Sequence, residues 1–267
     1  ENLKKSGLYN QKHFSFEVKA NKLITGNFTA GIGSRYEYLK YSPEIETFPR
    51  VYGKINFLTG FVDLHFNNLN SPSYPNSGNI IDFEAGVNYN QHPDFKYDDG
   101  NSATPQSSPL FSKKAYYSIK YYSAHYLPIH KHSLFFKLHS GMHFGNKQPF
   151  LNDFIVGGND LVIRNQILFP GFRTNSIFSS SVIAPQVGLH YSVTKKLVVT
   201  ATSSFLKYDF IKSNIIIDEN HGNSSVWGVA LAAGYRSFIG PLEAIFMYND
   251  INNNISPSFN IGYSLNF

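Results

Sequence analysis

The sequence predicts an all-β protein, a transmembrane antiparallel β-barrel with short periplasmic turns and long extracellular loops. Three observations favour this fold class. Eleven segments alternate between apolar and polar residues, short and long connections alternate between them, and aromatic residues are many while charges are few. A strand whose two faces meet different solvents shows alternation at a period of two. Outer-membrane barrels combine it with short turns on one side and long loops on the other.

The alternating segments are about 9 to 16 residues long, which suits tilted strands that cross a hydrocarbon layer. They cover 12–20, 23–36, 53–68, 80–90, 115–126, 133–145, 181–193, 196–208, 226–236, 241–249 and 257–267. In 80–90, for example, Ile81 and Phe83 alternate with Asp82 and Glu84. In each segment, we call every second residue one parity. The residues on the apolar parity are expected to face lipid, and those on the polar parity are expected to face the lumen.

The connections between these segments are alternately short and long. The short ones are a tight turn expected at 20–22 and links at 69–79, 127–132, 194–195 and 237–240. The long ones are 37–52, 91–114, 146–180, 209–225 and 250–256. A soluble sandwich has no physical reason to place its long loops at one end. The pattern therefore favours a membrane barrel over a soluble β-sandwich or barrel.

The composition excludes several other classes of protein. Charged residues make up 15% of the chain, against roughly 25% in soluble domains, while aromatic residues reach 16%. The absence of cysteine excludes disulfides and thiolate metal sites. The net charge of +5 is spread thinly, without the basic stripe that nucleic acid requires. No apolar run approaches the roughly 20 residues of a membrane helix.

The strand count has a topological consequence. If the last strand ends in the periplasm, the first of eleven strands would also run inward. Bacterial single-chain barrels have an even number of strands. We therefore expect at least one further strand upstream or within 1–11, and we interpret 1–267 as the C-terminal barrel domain of a longer protein.

Four stretches resemble the superfamily of outer-membrane assembly factors and two-partner transporters. The stretch 71–79 (SPSYPNSGN) resembles its periplasmic turn, and 154–173 (FIVGGNDLVIRNQILFPGFR) resembles its long loop that enters the lumen. The stretch 239–250 (IGPLEAIFMYND) is similar to its penultimate strand, and the C-terminal strand completes the set. Within the superfamily, RNQILFPGF is most similar to the barrels of patatin-like outer-membrane phospholipases of Bacteroidota, which are type V-d autotransporters.

The resemblance implies a barrel of about 16 strands, within the even-numbered range of such proteins. It also implies a patatin hydrolase domain and a POTRA module upstream, and assembly as a homodimer. This chain has no G-x-S-x-G motif, the nucleophile elbow of such hydrolases. We therefore expect no enzyme activity from it, and any lipase activity would belong to an upstream domain.

The connection 146–180 holds the main candidate site. A loop of about 35 residues in a compact fold is unusual and generally functional. The resemblance implies a glycine pair followed by a tip with an arginine, and two arginines are open alternatives for that role. The candidate residues are Gly157, Gly158, Arg164, Phe169, Gly171, Phe172 and Arg173.

A guanidinium inside a lumen needs a carboxylate partner, because a buried unpaired charge is costly. The acids on the inward parity are Asp63, Asp82, Glu84 and Glu243. We expect Arg164 or Arg173 to pair with one of them and hold the loop inside the barrel. The alternative is an extracellular loop with solvated arginines.

The last eight residues, NIGYSLNF, resemble the C-terminal signal by which the assembly machinery recognises outer-membrane clients. Asn260, Gly262, Leu265 and Phe267 fill its polar, glycine, apolar and aromatic places. The machinery would pair with the edge of this strand before the barrel closes. The expected partners are therefore this machinery, the lipid bilayer and its lipopolysaccharide, and a second copy as the family implies.

Histidines and aromatic residues have simpler interpretations. His139 and His143 share a parity, but four residues at about 3.3 Å each place them about 13 Å apart along a strand, too far to share an ion. We expect neither a metal nor a cofactor. Aromatics on the apolar parity, such as Tyr89, Tyr191 and Trp227, predict interfacial girdles, with plain β-propensity as the alternative.

The preferred functional interpretation is a barrel that anchors a patatin-like passenger in the outer membrane and translocates it. Three alternatives remain open at this point. The chain would be an assembly factor that inserts or translocates other outer-membrane proteins, a passive channel, or a subunit of an envelope complex.

Overall fold

The computed structural model describes residues 9–43, 50–98, 113–145, 152–158, 165–172, 177–210, 224–238, 240–251 and 253–262. The strands are β1 (Tyr9–Thr25), β2 (Phe28–Pro43), β3 (Arg50–Asn67), β4 (Gly78–Asp98), β5 (Tyr116–Ile129), β6 (His132–Gly145), β7 (Phe154–Val156), β8 (Gln166–Ile167), β9 (Ile177–Ser179), β10 (Ser181–Ser192), β11 (Leu197–Tyr208), β12 (Ser224–Ser237), β13 (Gly240–Asn249) and β14 (Ser256–Ile261). Among the described residues, no helix is long and apolar enough to cross a membrane.

Eleven of these strands form one antiparallel sheet in the order β1-β2-β3-β4-β5-β6-β10-β11-β12-β13-β14. The three short strands form a second sheet in the order β8-β7-β9. The number of long strands and the all-β fold class predicted from the alternation are confirmed. The connections also follow the prediction, since short turns meet at one end of the sheet and long connections at the other.

One predicted turn is wrong. The tight turn expected at 20–22 does not exist, because β1 continues through these residues and Ala20 pairs with Ile32 of β2. The chain instead reverses at Gly26 and Asn27, residue types that favour turns. Ala20, Asn21 and Lys22 pair with β2 as regular strand residues, because their side chains continue to alternate between the two faces of the sheet.

The two faces of the large sheet differ in chemistry. The outer face carries exposed apolar side chains on the parity predicted to face lipid, among them Ile32, Val62, Leu231 and Phe246. The inner face carries polar, charged and small residues over much of its area. An apolar surface of this extent is unfavourable in water, as expected for a face that meets lipid.

The sheet is strongly curved, with the inner face concave. Tyr74 lies in the turn between β3 and β4, yet its hydroxyl lies 2.6 Å from a carboxylate oxygen of Glu243 in β13. In a flat sheet, β4 and β13 are six places apart in the strand order, which is about 29 Å at about 4.8 Å per strand. The contact is possible only because the sheet curls around its inner side.

The largest cluster of buried apolar side chains in the described part of the chain lies on this concave side. It joins the second sheet and its neighbours to inner-face residues of β10, β11 and β12 near their long-loop ends. Its members are Phe154, Val156, Ile167, Phe169, Phe172, Ile177, Val182, Ala184, Leu206 and Val226. The segment between β6 and β10 therefore packs against the inner face.

Candidate functional site

The connection 146–180, called the lumen loop here, builds the second sheet. β7 pairs antiparallel with β9 and parallel with β8. Gly157 and Gly158 follow β7 with φ angles of 127° and 85°, a region that favours glycine. The N–H of Gly158 donates to the carbonyl oxygen of Phe172 at 3.1 Å. The glycine pair thus turns the chain so that the 169–172 segment packs beside β7.

The described parts of the lumen loop are withdrawn from solvent. Every residue of 152–158 is buried, and the side chains of Phe154, Phe169 and Phe172 have no exposed area. A loop projecting into solvent would leave such side chains open. Their burial follows from contacts with six strands of the large sheet, β5, β6 and β10 to β13.

His143 of β6 makes the first of these contacts. Its Nε2 donates to the carbonyl oxygen of Asn152 at 3.0 Å, and its ring stacks on Phe154 with the ring centroids 4.5 Å apart. Two residues earlier on the same face, a Cβ at Gly141 would overlap the Phe154 ring. Position 141 therefore admits only glycine while Phe154 is in place.

Leu168 connects the lumen loop to β6 and β10 through its backbone. Its N–H donates to Nδ1 of His139 at 3.4 Å, and its carbonyl oxygen accepts from Nε2 of Gln186 at 3.1 Å. The hydrogen bond to Nδ1 requires that this ring nitrogen carry no proton. These contacts use neutral groups on the inner face.

The tip of the lumen loop approaches β12 and β13 closely. Asn249 donates through its side-chain amide to the carbonyl oxygen of Gly171. A Cβ at Gly171 would lie 2.9 Å from the carbonyl oxygen of Tyr248, and a Cβ at Gly228 would lie 2.6 Å from that of Pro170. Glycine at both positions allows backbone to pack directly on backbone.

Each of the four candidate acids forms an ion pair or a hydrogen bond with a side chain of the large sheet or of one of its turns. Arg35 of β2 binds Glu84 at 2.9 Å, and Lys120 of β5 binds the same carboxylate at 3.1 Å. The other pairs are Asp63 with Lys19 at 2.7 Å, Asp82 with His65 at 2.5 Å, and Glu243 with Tyr74 at 2.6 Å. Arg164 and Arg173 lie outside the described residues, so their pairing with an inward acid stays a prediction.

The distribution of charge divides the inner face into two regions. The ion pairs described above lie on β1 to β5, whereas the described hydrogen bonds and apolar contacts join the lumen loop to β5, β6 and β10 to β13. In the part of the chain that the structure describes, no group of three or more His, Cys, Asp or Glu side chains is arranged to hold a metal ion.

Comparison with known proteins defines the family. The model of the OMP85 superfamily matches residues 8–265. The chain belongs to the OMP85 superfamily. Among solved structures, it is similar to the crystal structure of BamA from Haemophilus ducreyi lacking POTRA domains 1-3, with a TM-score of 0.61 and 13% identity. No curated protein matches the chain.

The likeness to BamA covers 94% of this chain and 53% of that chain, so this chain spans about half the length of that structure. At this identity the likeness shows the fold alone. Membership of the OMP85 superfamily makes the protein an integral β-barrel of the outer membrane. The predicted location and the resemblance to the assembly-factor superfamily are thereby confirmed at this level.

Of the four residues of the predicted C-terminal assembly signal, the structure of this OMP85 barrel describes two, Asn260 and Gly262. Asn260 of β14 faces Glu243 of β13 in the ladder, and its side-chain amide donates to that carboxylate at 3.4 Å. The N–H of Gly262 donates to the carbonyl oxygen of Pro241 at 2.9 Å. Leu265 and Phe267 lie outside the described residues, so the assembly signal stays a prediction.

Sequence reasoning missed the side chains that hold the lumen loop. The sequence pattern identifies these side chains only as polar residues of the inward parity. They are His139, His143, Gln186 and Asn249. A signal was nevertheless present, because the inward parity becomes apolar toward the long-loop end of the OMP85 barrel. The residues concerned are Val182, Ala184, Leu206 and Val226. Apolar side chains facing a hydrated lumen indicate that a segment covers them.

Proposed function

We propose that this OMP85 barrel anchors a passenger in the outer membrane and translocates it, with the lumen loop as a movable plug. The observation that carries the proposal is the packing of the lumen loop on the inner face of β6, β10, β12 and β13. Loop and wall are joined by neutral hydrogen bonds and glycine contacts, such as those of Leu168 and Gly171. Neutral hydrogen bonds contribute only about 0.5–1.5 kcal/mol each, so the apolar cluster is the main interaction that release of the plug would have to break.

The nature of the passenger rests on the resemblance of 154–173 to patatin-like barrels of the type V-d secretion systems of Bacteroidota. It supports a patatin-like lipase domain and a POTRA module upstream of the barrel, and a homodimer in a membrane that contains lipopolysaccharide. Lipase activity would reside in the upstream domain. The coding sequence before Glu1 tests this part, since an ordinary signal peptide directly before it would exclude a fused passenger.

A second candidate function is an assembly factor that inserts or translocates other outer-membrane proteins. Superfamily membership and the likeness in fold to BamA favour it. A passive channel is less well supported, because the described segments of the lumen loop pack on the inner face of the large sheet. Membership of a larger envelope complex is compatible with either of the first two functions.

Deletion of the gene in its native host separates the two main candidates. For a passenger anchor, lipase activity on intact cells falls while other outer-membrane proteins keep their normal amounts. For an assembly factor, many barrels decrease together in quantitative proteomics of the outer membrane. Complementation with the full-length gene is the control. Unchanged surface lipase together with unchanged barrel levels would contradict both functions.

A further inference from the structure

The turn between β3 and β4, residues 68–77, has a defined structure of its own. The side-chain carbonyl oxygen of Asn70 accepts the N–H groups of Asn76 at 3.1 Å and Ser77 at 3.2 Å. At its tip, Tyr74 has a φ of 48°, which is uncommon for a residue other than glycine. Such a conformation persists where the surroundings determine it. The tip is therefore held by contacts beyond the turn.

Those contacts come from strands on the far side of the inner face. The Tyr74 hydroxyl donates to Oε1 of Glu243 at 2.6 Å. Arg236 donates through Nη2 to the Tyr74 carbonyl oxygen at 3.1 Å, and its guanidinium carbon lies 5.6 Å from the ring centroid. The edge of the ring meets His190 with the centroids 5.8 Å apart. We call Tyr74, Arg236, Glu243 and His190 the Tyr74 cluster.

Two further observations show that the inner face is shaped for this tip. A Cβ at Gly234 of β12 would overlap the Tyr74 hydroxyl, so glycine is needed there for the tyrosine to fit. Pro75 is buried, and its carbonyl oxygen accepts from the Ser133 hydroxyl at 3.0 Å. The turn thus contacts β6, β10, β12 and β13, the strands that also contact the lumen loop.

The turn and the lumen loop meet these strands at different heights. On β12, Gly228 faces the lumen loop and Gly234 faces Tyr74. Six residues of strand separate them by about 20 Å. The Tyr74 cluster lies at the short-turn end, which faces the periplasm in bacterial barrels. The inner face is therefore covered at two separate levels.

We propose that the β3–β4 turn is a second closure of the lumen, at its periplasmic end, held by the hydrogen bond from Tyr74 to Glu243. It excludes small polar solutes from the lumen independently of the lumen loop and of the identity of any passenger. Glu243 also accepts from Asn260 of β14 at 3.4 Å. The same carboxylate thus connects the closure to the pairing of β13 with β14.

The chemistry of Tyr74 suits this role. Burial and the hydrogen bond to Glu243 raise the pKa of the Tyr74 hydroxyl above its ordinary value. The hydroxyl therefore remains a donor at physiological pH, and the acceptor is a carboxylate. Hydrogen bonds to charged groups are stronger than those between neutral groups.

Thiol labelling of a residue between the two closures tests the proposal. Ala232 lies on the inner parity of β12 between Gly228 and Gly234, and this chain has no cysteine of its own. Full-length protein with Ala232→Cys, with every cysteine upstream of this chain changed to serine, would be treated in nanodiscs with a small charged maleimide. Tyr74→Phe removes the hydroxyl and keeps the ring. Tyr235→Phe is the matched control, because it removes a hydroxyl from the outer face of the same strand.

We expect Tyr74→Phe and Glu243→Gln each to speed labelling by about tenfold or more, the change that loss of one charged hydrogen bond gives in an equilibrium. Tyr235→Phe should leave the rate unchanged. Migration of unheated samples on gels verifies that each variant is folded. Rapid labelling in the parent protein, or equal rates in folded Tyr74→Phe and Tyr235→Phe, would overturn the second closure while leaving the plug and the passenger function untouched.

Discussion

The ring of Phe154 stacks on that of His143 with the centroids 4.5 Å apart. This contact joins the lumen loop to the inner face of β6 at a point where Gly141 leaves room for the phenyl ring. The described parts of this long connection therefore form a buried segment with its own apolar core.

Gly141→Ala is expected to lower stability, because the added methyl overlaps the Phe154 ring. Inserting a methyl group into a filled site costs about 1–3 kcal/mol. Gly60→Ala is the matched control, since a Cβ there would meet Tyr89 at an ordinary 3.8 Å. Urea unfolding in lipid vesicles gives both values. Equal stability of the two variants would show that Phe154 does not occupy this site.

Glu84→Gln should destabilise the barrel more than a change at an exposed ion pair. Without the carboxylate, the cations of Arg35 and Lys120 lose a shared, part-buried partner, and hydrogen bonds to charged groups contribute about 1.5–3 kcal/mol. Asp94→Asn is the control, because Asp94 and its partner Lys54 are largely exposed and such pairs are worth about 0–1 kcal/mol. Equilibrium unfolding compares them, and a smaller loss for Glu84→Gln would contradict a structural role for this network.

Arg164→Ala and Arg173→Ala test which arginine holds the tip of the lumen loop. If one guanidinium pairs with an inward acid, its removal should lower the temperature at which unheated protein loses its compact gel mobility. Surface display of the passenger should fall in the same variant, because a loosened plug disturbs the lumen. Wild-type behaviour of both variants would exclude the predicted pairing.

Deletion of Phe267 should impair insertion, because the aromatic terminus completes the strand that the assembly machinery is expected to pair with. The amount of protein in isolated outer membranes measures the effect, and we expect a clear decrease with accumulation in the periplasm. Ser264→Ala changes a position outside the expected signal and serves as the control. Normal assembly without Phe267 would remove the basis for the predicted signal.

The long strands and their two faces could be predicted from the sequence, since alternation is local and the membrane reinforces it. Gly26 and Asn27 show the limit of local reasoning, because the sequence pattern predicts a turn at 20–22, where the strand in fact continues. The contact between Tyr74 and Glu243 joins residues 169 positions apart. No periodicity reveals such a contact, because it depends on the curvature of the whole sheet.

The packing of the lumen loop was predictable only in outline. Gly157 and Gly158 could be identified from their resemblance to a family motif, but their partners could not. The contacts of His139 and His143 depend on which inner-face side chains lie opposite the loop once the barrel has formed. That relationship follows from strand order and stagger, which a pattern of polar and apolar residues does not contain.

Reversible cross-linking of the lumen loop to the wall tests the central claim most directly. Full-length protein with Leu168→Cys and Gln186→Cys, the residues that share a hydrogen bond of 3.1 Å, would be treated in its native host with a short, reducible bifunctional thiosulfonate. A loop that packs on the inner face and moves during translocation predicts efficient cross-linking, loss of surface display of newly made passenger, and recovery after reduction. Absence of the cross-link would contradict the packing, and full display by the cross-linked protein would contradict the movable plug.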